Sequence, residues 1–504
     1  MRDSLSAALF GALLALIGLN ALLFAVKAVN PLIASDAWHV VDTVLRQVPA
    51  GQFDIGDLFA KRAAGFDHAQ PLRKLILLFH YRFFDLDFSI EAIIGVVAAF
   101  LNLAILWWMA RREDARPAST RPLQLLLFAT LAAVYLSLNS SVVFGWSLVT
   151  LNYTTHLFLL AFLACGWWAL QGERWPRLAA LFLAALAMDV VGDDTALIAT
   201  LAACVPIALA ALHGDRRRRG LEVAATALSA YLVYKIGYGL LATQEGAGGA
   251  GTGAAIAKLL PQLGSQVGDA WKWIQIPLTA SVAQRAQLRS WFGTDTTVVE
   301  VVIALALALG HAWFWWRALR IPQRLAGFVA IALMMLFYGL VAAMVITRVS
   351  AHGADYLWQP RYALIYEWNL VALLLMALGQ LGLAHSGAVQ PGANRMPRAR
   401  AAGAVVASAC VVLLLLQVPL SLNSWRSVRF LSTHQQKMAA QLGELARDPL
   451  HAPQACAPEL VVCRYPPARR QQVIQFLRAN RLNLFSPGFQ ARNRLYPDAA
   501  ALPQ

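Results

Sequence analysis

Charge is what this chain has least of. Asp, Glu, Lys and Arg make up 14% of its 504 residues, and hydrophobic residues make up 59%. A soluble domain is about a quarter charged, so a soluble globular chain is excluded. With a mean hydropathy of +0.55, the composition is that of a polytopic membrane protein. Acid is scarcer than base, 27 residues against 42, for a formal net charge of +15. On a membrane protein that excess belongs to basic loops facing the cytoplasm and anionic lipid, and no nucleic-acid partner is expected. The chain has no P-loop, no GxGxxG and no HExxH, which disfavours nucleotide-driven chemistry and a dense metal site. It also lacks a repeat of solenoid period and inverted-repeat symmetry in its span lengths, which weighs against a secondary transporter.

Only 5 cysteines are present. Cys165, Cys204 and Cys410 fall inside apolar runs and read as packing residues. Cys456 and Cys463 flank APELVV in a polar region. In an oxidising compartment that spacing favours a local disulfide. A zinc site there would lack a fourth ligand, since only His451 is near.

What the chain has in abundance is apolar length. Hydropathy gives about eleven spans of roughly 20 residues. They are Leu5–Val29, Ser89–Ala110, Pro122–Leu138, Tyr153–Leu170, the pair Leu178–Val191 and Thr195–Leu212 broken by GDD, Leu221–Ala242, Val298–Trp316, Leu325–Ile346, Ala363–Leu383 and Ala402–Leu422. Leu5–Val29 is too long for a signal-peptide core and is read as a retained helix. Arginines cluster after the second, fourth, sixth, eighth and tenth spans, which puts those connections and the amino terminus in the cytoplasm. The long polar segments 30–88, 243–297, 347–362 and 423–504 then share the opposite, periplasmic side. The expected fold is an all-α integral membrane protein, with a transmembrane domain over 1–422 and a small periplasmic domain over 423–504. Segment 243–297, opened by GAGGAGTGAA, is expected to be flexible. Trp425–Arg447 and Pro467–Asn480 read as amphipathic helices of the tail.

Residues 30–88 are the most informative stretch. They are far longer than a membrane hairpin needs and are patterned as two short juxtamembrane helices. Ser35 can cap the first, over Asp36–Val48, with Val40, Val41, Val44, Leu45 and Val48 on one stripe. Pro71 suits the first turn of the second, whose apolar face is Leu72, Leu75, Ile76, Phe79 and Phe83.

Several polar residues lie at the same surface. Asp36 could complement a helix amino terminus or act as a general base on an acceptor hydroxyl, and Trp38 could stack on a sugar face. Asp67 and His68 could orient a sugar or help hold a divalent ion with Asp36. No firm metal site and no certain cofactor emerge. Arg361, in QPRY, could clamp a phosphate with charge-assisted bonds or snorkel to headgroups. Arg348, Lys74 and Lys235 are weaker versions of the same idea. Glu367 lies inside the tenth span, where an acid is functional by default, or pairs with Arg361. Asp193 and Asp194 could bind sugar hydroxyls or cap the sixth span.

This order of parts resembles the GT-C superfamily of integral-membrane glycosyltransferases, which use polyprenyl-phosphate sugars. The matching features are a large first outer loop with two juxtamembrane helices, an acid soon after the first span (SDAW), a polar motif before the second juxtamembrane helix (DHAQP), a basic residue on a late outer loop (QPRY) and an exported tail. Many members carry paired acids after the first span, where this chain has Asp36-Ala37. The resemblance implies a bacterial inner-membrane enzyme with a polyprenyl-phosphate sugar as donor and a glycan, lipid or protein acceptor of the cell envelope. Asp36 would activate the acceptor, Asp67 and His68 would position substrate, and Arg361 would stabilise the departing lipid phosphate. The alternative is a lipid-linked glycan transporter or O-antigen polymerase.

Overall fold

The structure, a computed structural model, describes residues 2–60, 69–111, 121–172, 175–213, 217–241, 261, 264–265, 267–320, 324–381 and 396–495. Among these residues every regular element is helical. Eight helical stretches are long and apolar enough to cross a membrane. The chain is a multi-pass, all-α membrane protein.

The first ten helices are α1 (Arg2–Ala28), α2 (Ala37–Thr43), α3 (Pro71–Phe83), α4 (Phe88–Arg111), α5 (Arg121–Tyr135), α6 (Ser141–Gly145), α7 (Ser147–Leu170), α8 (Trp175–Gly192), α9 (Ala196–His213) and α10 (Arg217–Leu241). Helices Ala270–Val282, Thr297–Arg320, Leu325–Met344, Ala363–Leu381 and Met396–Arg447 follow. The long helices meet in one large apolar core. A close helix approach in that core lies at Gly95 of α4, where a β-carbon would sit 2.3 Å from the Thr150 carbonyl of α7. Small residues permit such contacts where lipid offers helices no hydrophobic drive to associate.

The fifth span was expected to be about 14 residues long by apolar length, yet α8 has 18. Trp175, Pro176 and Arg177 join its first turn. The break after it is as expected, and Asp193 makes it with a left-handed φ of 46°. A larger departure comes at the end of the chain. The eleventh span and the amphipathic helix Trp425–Arg447 are one helix of 52 residues, about 78 Å long at 1.5 Å per residue. Asn423 and Ser424 do not stop it, and the helix runs on through Pro419 as well. The hydroxyl of Ser424 donates to the Leu138 carbonyl at 2.6 Å.

That helix leads into a second core. Leu32, Trp38, Val41 and Leu45 of the first loop pack there against Met438, Leu442, Val473, Leu477 and Phe489 of the tail. Hydrogen bonds stitch the same seam. The Ser35 amide donates to the Glu459 carbonyl at 2.7 Å. The Asn483 side chain donates to the carbonyls of Pro31 and Leu86 at 3.0 and 2.6 Å. Arg492 pairs with Asp87 at 2.9 Å. Loop and tail are therefore one folded body. The pull of Glu459 also explains why Ser35 does not cap α2. Ser35 adopts a φ of 50°, and α2 begins at Ala37 and ends at Thr43, five residues short of expectation.

Cys456 and Cys463 form a disulfide in the tail, with their Cα atoms 6.6 Å apart. Closing so short a loop restricts the unfolded chain by about 2–3 kcal/mol. A Cys456→Ser/Cys463→Ser variant is expected to lose that amount, read as a lower unfolding midpoint of the loop–tail body.

Helix α3 begins at Pro71 as expected, but its faces are reversed. Arg73, Lys74, Leu77 and His80 are buried, while Leu75, Phe79 and Phe83 are exposed. An apolar stripe turned outward, four residues before a span begins, suits a helix lying in the membrane interface. His80 has neither ring nitrogen hydrogen-bonded. Burial lowers its pKa from the ordinary 6.5 to about 4, opposed by the nearby Asp87 carboxylate. The folded state thus holds His80 neutral. Its contribution is complete above about pH 6.5 and is lost as pH falls toward 4, by at most about 3 kcal/mol. His80→Leu should flatten the fall of the thermal midpoint between pH 7 and pH 5. An unchanged slope would assign the acid lability to other groups.

Candidate functional site

The polar residues weighed from the sequence have separate fates. Asp36 sits half-buried at the loop–tail seam, immediately before α2, and its carboxylate makes no capping bond to that helix. Asp67 and His68 lie outside the described residues. Trp38 does not offer a face to a sugar. Its side chain is fully buried in the core shared by loop and tail, because α2 needs its bulk there. Lys74 is also buried, and its ammonium donates to the carbonyls of Asp57 at 2.8 Å and Ala60 at 2.6 Å. It clamps the loop backbone rather than facing a substrate.

Asp193 is likewise committed within the protein. Its carboxylate accepts from the backbone amides of Ala69 at 2.7 Å and Gln70 at 3.1 Å, and from the Tyr234 hydroxyl at 2.8 Å. These bonds pin the start of α3 to the break between α8 and α9. Asp194 beside it is exposed. Lys235, one residue along from Tyr234, lies within 5.3–5.7 Å of the ring centres of Tyr231, Tyr234 and Tyr238.

Glu367 does not pair with Arg361. It is buried, and neither of its carboxylate oxygens has a hydrogen-bond partner. It faces a polar cluster inside the bundle, within electrostatic reach of Tyr135 and Tyr153. In that cluster the Asn102 amide donates to the Tyr135 hydroxyl at 2.9 Å and the Tyr153 carbonyl at 2.8 Å. The Tyr135 hydroxyl also meets Nδ1 of His156 at 3.1 Å.

Arg361 is held by aromatic rings. Its guanidinium donates to the Tyr356 hydroxyl at 2.8 Å and lies 5.2 Å from the centre of the Tyr362 ring. Its Nε is buried without a partner. Arg348 is within electrostatic reach of the same Tyr362. Arg348 is carried by a π-helical turn, Val345–Val349, a local widening that is frequent at functional sites. Among the described residues neither arginine has a carboxylate partner. Arg285 nearby does have partners, Glu300 at 3.1 Å and Asp355 at 2.9 Å, and it lies over Trp358.

Helix α6 links the two halves of this region. It touches the turn Pro360–Tyr362, and the carbonyl of its Gly145 accepts from the amide of Asn30. The entry to the first loop and Arg361 therefore border one five-residue helix. Among the described residues no group of three or more His, Cys, Asp or Glu is placed to hold a metal.

The sequence reading passed over Asp42, Arg46 and Arg469. Asp42 is buried and pairs with Arg46 at 3.0 Å and with Arg469 of the tail. The i,i+4 spacing of Asp42 and Arg46 was a visible signal for half of that cluster. Comparison with family models, with curated proteins and with solved structures gives no match.

Proposed function

We propose that this chain is a membrane glycosyltransferase of the GT-C kind, moving a sugar from a polyprenyl-phosphate donor to a cell-envelope glycan, lipid or protein. The observation that carries the reading is the pair Arg348 and Arg361, two guanidiniums without carboxylate partners among the described residues, set beside the helix that touches the first-loop entry. A cation pair at the end of a membrane bundle is suited to a lipid-linked phosphate, to which arginine donates in a bidentate fork. Asp36 takes the proton of the acceptor hydroxyl. The freed oxygen attacks the anomeric carbon, the bond from that carbon to the phosphate oxygen breaks, and the arginines stabilise the lipid phosphate that leaves. Asp67 and His68 position substrate beside it. Holding donor and acceptor together at the interface contributes through orientation.

In this reading the loop–tail body is periplasmic, in the inner membrane of a bacterium, with the amino terminus cytoplasmic. The disulfide in the tail supports that side, since such bonds persist in oxidising compartments. So does the run of arginines at the other end of the bundle.

One observation favours the rival reading of a lipid-linked glycan transporter or polymerase. The unpartnered Glu367 and its polar neighbours lie within the bundle, where a translocation path would need them. Mass spectrometry of surface glycan from a deletion strain separates the two. Loss of one sugar, restored by the wild-type gene and not by Arg361→Ala, supports transfer. Loss of the whole polymer points to the transporter or polymerase and overturns the proposal.

A further inference from the structure

The body built from the first loop and the tail contains a polar cleft of about 870 Å³. One wall is α2 and the turn after it, with Asp42, Thr43, Arg46, Gln47 and Gln52. The other is the helix Pro467–Ala479, with Arg469, Gln472 and Phe476. These walls are more than 400 residues apart in sequence and meet through the buried Asp42 carboxylate, which holds Arg46 and Arg469 at once. Two cations sharing one anion leave the cleft with a charge of +1.

The donors are unequally used. Arg46 donates Nε to the Asp42 carbonyl and Nη1 to Gln472 at 2.8 Å, and its Nη2 forms an ion pair with the Asp42 carboxylate at 3.0 Å. Arg469 gives only its Nε to Asp42 and rests on the Tyr465 ring at 5.1 Å. Its Nη1 and Nη2 edge is left with no protein acceptor among the described residues. The side-chain amides of Gln47 and Gln52 have no protein partner among the described residues either. A flat guanidinium edge and two planar amides around a polar hollow match adjacent sugar hydroxyls and a carboxylate, each of which accepts or donates two bonds in one plane. An aromatic edge from Phe476 completes the lining.

We propose that this cleft binds an anionic saccharide, a hydroxyl-rich chain bearing a carboxylate, as the distal part of the acceptor. Asp36 lies on the same segment six residues before Asp42, about 9 Å along a helix axis, so a chain seated in the cleft has its next unit near that residue. The term acceptor rests on the transfer reading above, whereas binding in the cleft does not.

The test uses the purified full chain in lipid nanodiscs, with trigalacturonate as the probe and maltotriose as its neutral counterpart, read by titration calorimetry. Trigalacturonate should bind, and maltotriose should bind about tenfold more weakly for want of the carboxylate. Arg469→Gln should weaken trigalacturonate by about tenfold or more. Gln47→Ala/Gln52→Ala, which removes no side-chain hydrogen bond within the described residues, should weaken it several-fold. The titration contains no sugar donor, so its failure overturns the cleft alone, whereas loss of transfer with this binding intact overturns the transfer reading alone. No binding of trigalacturonate, equal binding of maltotriose, or binding indifferent to both cleft variants would each overturn the proposal.

Discussion

Asp36→Asn is expected, on the proposed transfer reading, to lower sugar transfer by about 10²–10⁴-fold, the range that a positioned general base contributes. The substitution keeps the size and shape of the side chain and removes only its ability to take a proton. Because the Asp36 carboxylate caps no helix amide, the unfolding midpoint should move little. The measurement is transfer from a synthetic polyprenyl-phosphate sugar by the purified protein in nanodiscs, beside a thermal melt of the same preparation. Retention of more than a tenth of the activity would remove Asp36 from the chemistry. A collapsed midpoint would show that it holds the loop–tail seam instead.

Asp193→Ala should have the largest effect on stability, about 3–5 kcal/mol. Its buried carboxylate answers two backbone amides, those of Ala69 and Gln70, and one phenol, Tyr234. Alanine would strand both amides next to the start of α3, and each stranded buried donor costs about 1–3 kcal/mol. Asp193→Asn keeps an oxygen acceptor and should lose roughly half as much. Hydrogen exchange localises the effect, with residues 69–80 losing protection first while α4 keeps its own. A loss below about 1 kcal/mol would mean that water takes the place of the carboxylate.

The contrast between these two acids bears on how much of the site was legible. Both are short of partners in the sequence, and both follow a span closely. Nothing within ten residues of Asp193 indicates that its partners lie 123 or 124 positions earlier in the chain. The same holds for Trp38. Its aromatic ring reads equally as a sugar platform or as core, and only the arrival of the tail helices buries it. Lys74 and the exposed stripe of α3 show the difficulty from the other side. The period of the apolar residues reveals that α3 has two faces, but protein interior and lipid are both apolar, so the pattern does not say which one the stripe meets. Here the stripe faces outward and the cations are inside, Lys74 hydrogen-bonded to two carbonyls and Arg73 paired with Glu91, whose carboxylate lies 3.7 Å away. Asp42 was overlooked for the same reason as Asp193, since its tail partner Arg469 is 427 residues away.

The sequence alone determined what depends on near neighbours or on the bilayer. The membrane-spanning character came from it, because lipid supplies the apolar partner wherever the rest of the chain goes; about eleven spans were expected, and eight helical stretches among the described residues are long and apolar enough to cross. The start of α3 came from Pro71, and the disulfide came from two cysteines seven positions apart. Tertiary structure alone decided the joining of loop and tail into one body, the single helix from Met396 to Arg447, the want of a carboxylate partner for Arg348 and Arg361 among the described residues, and the cleft at Asp42. Each of these is a choice between partners far apart in the chain. Such choices are settled by which groups can be buried together with their hydrogen bonds satisfied, and no local pattern carries that information.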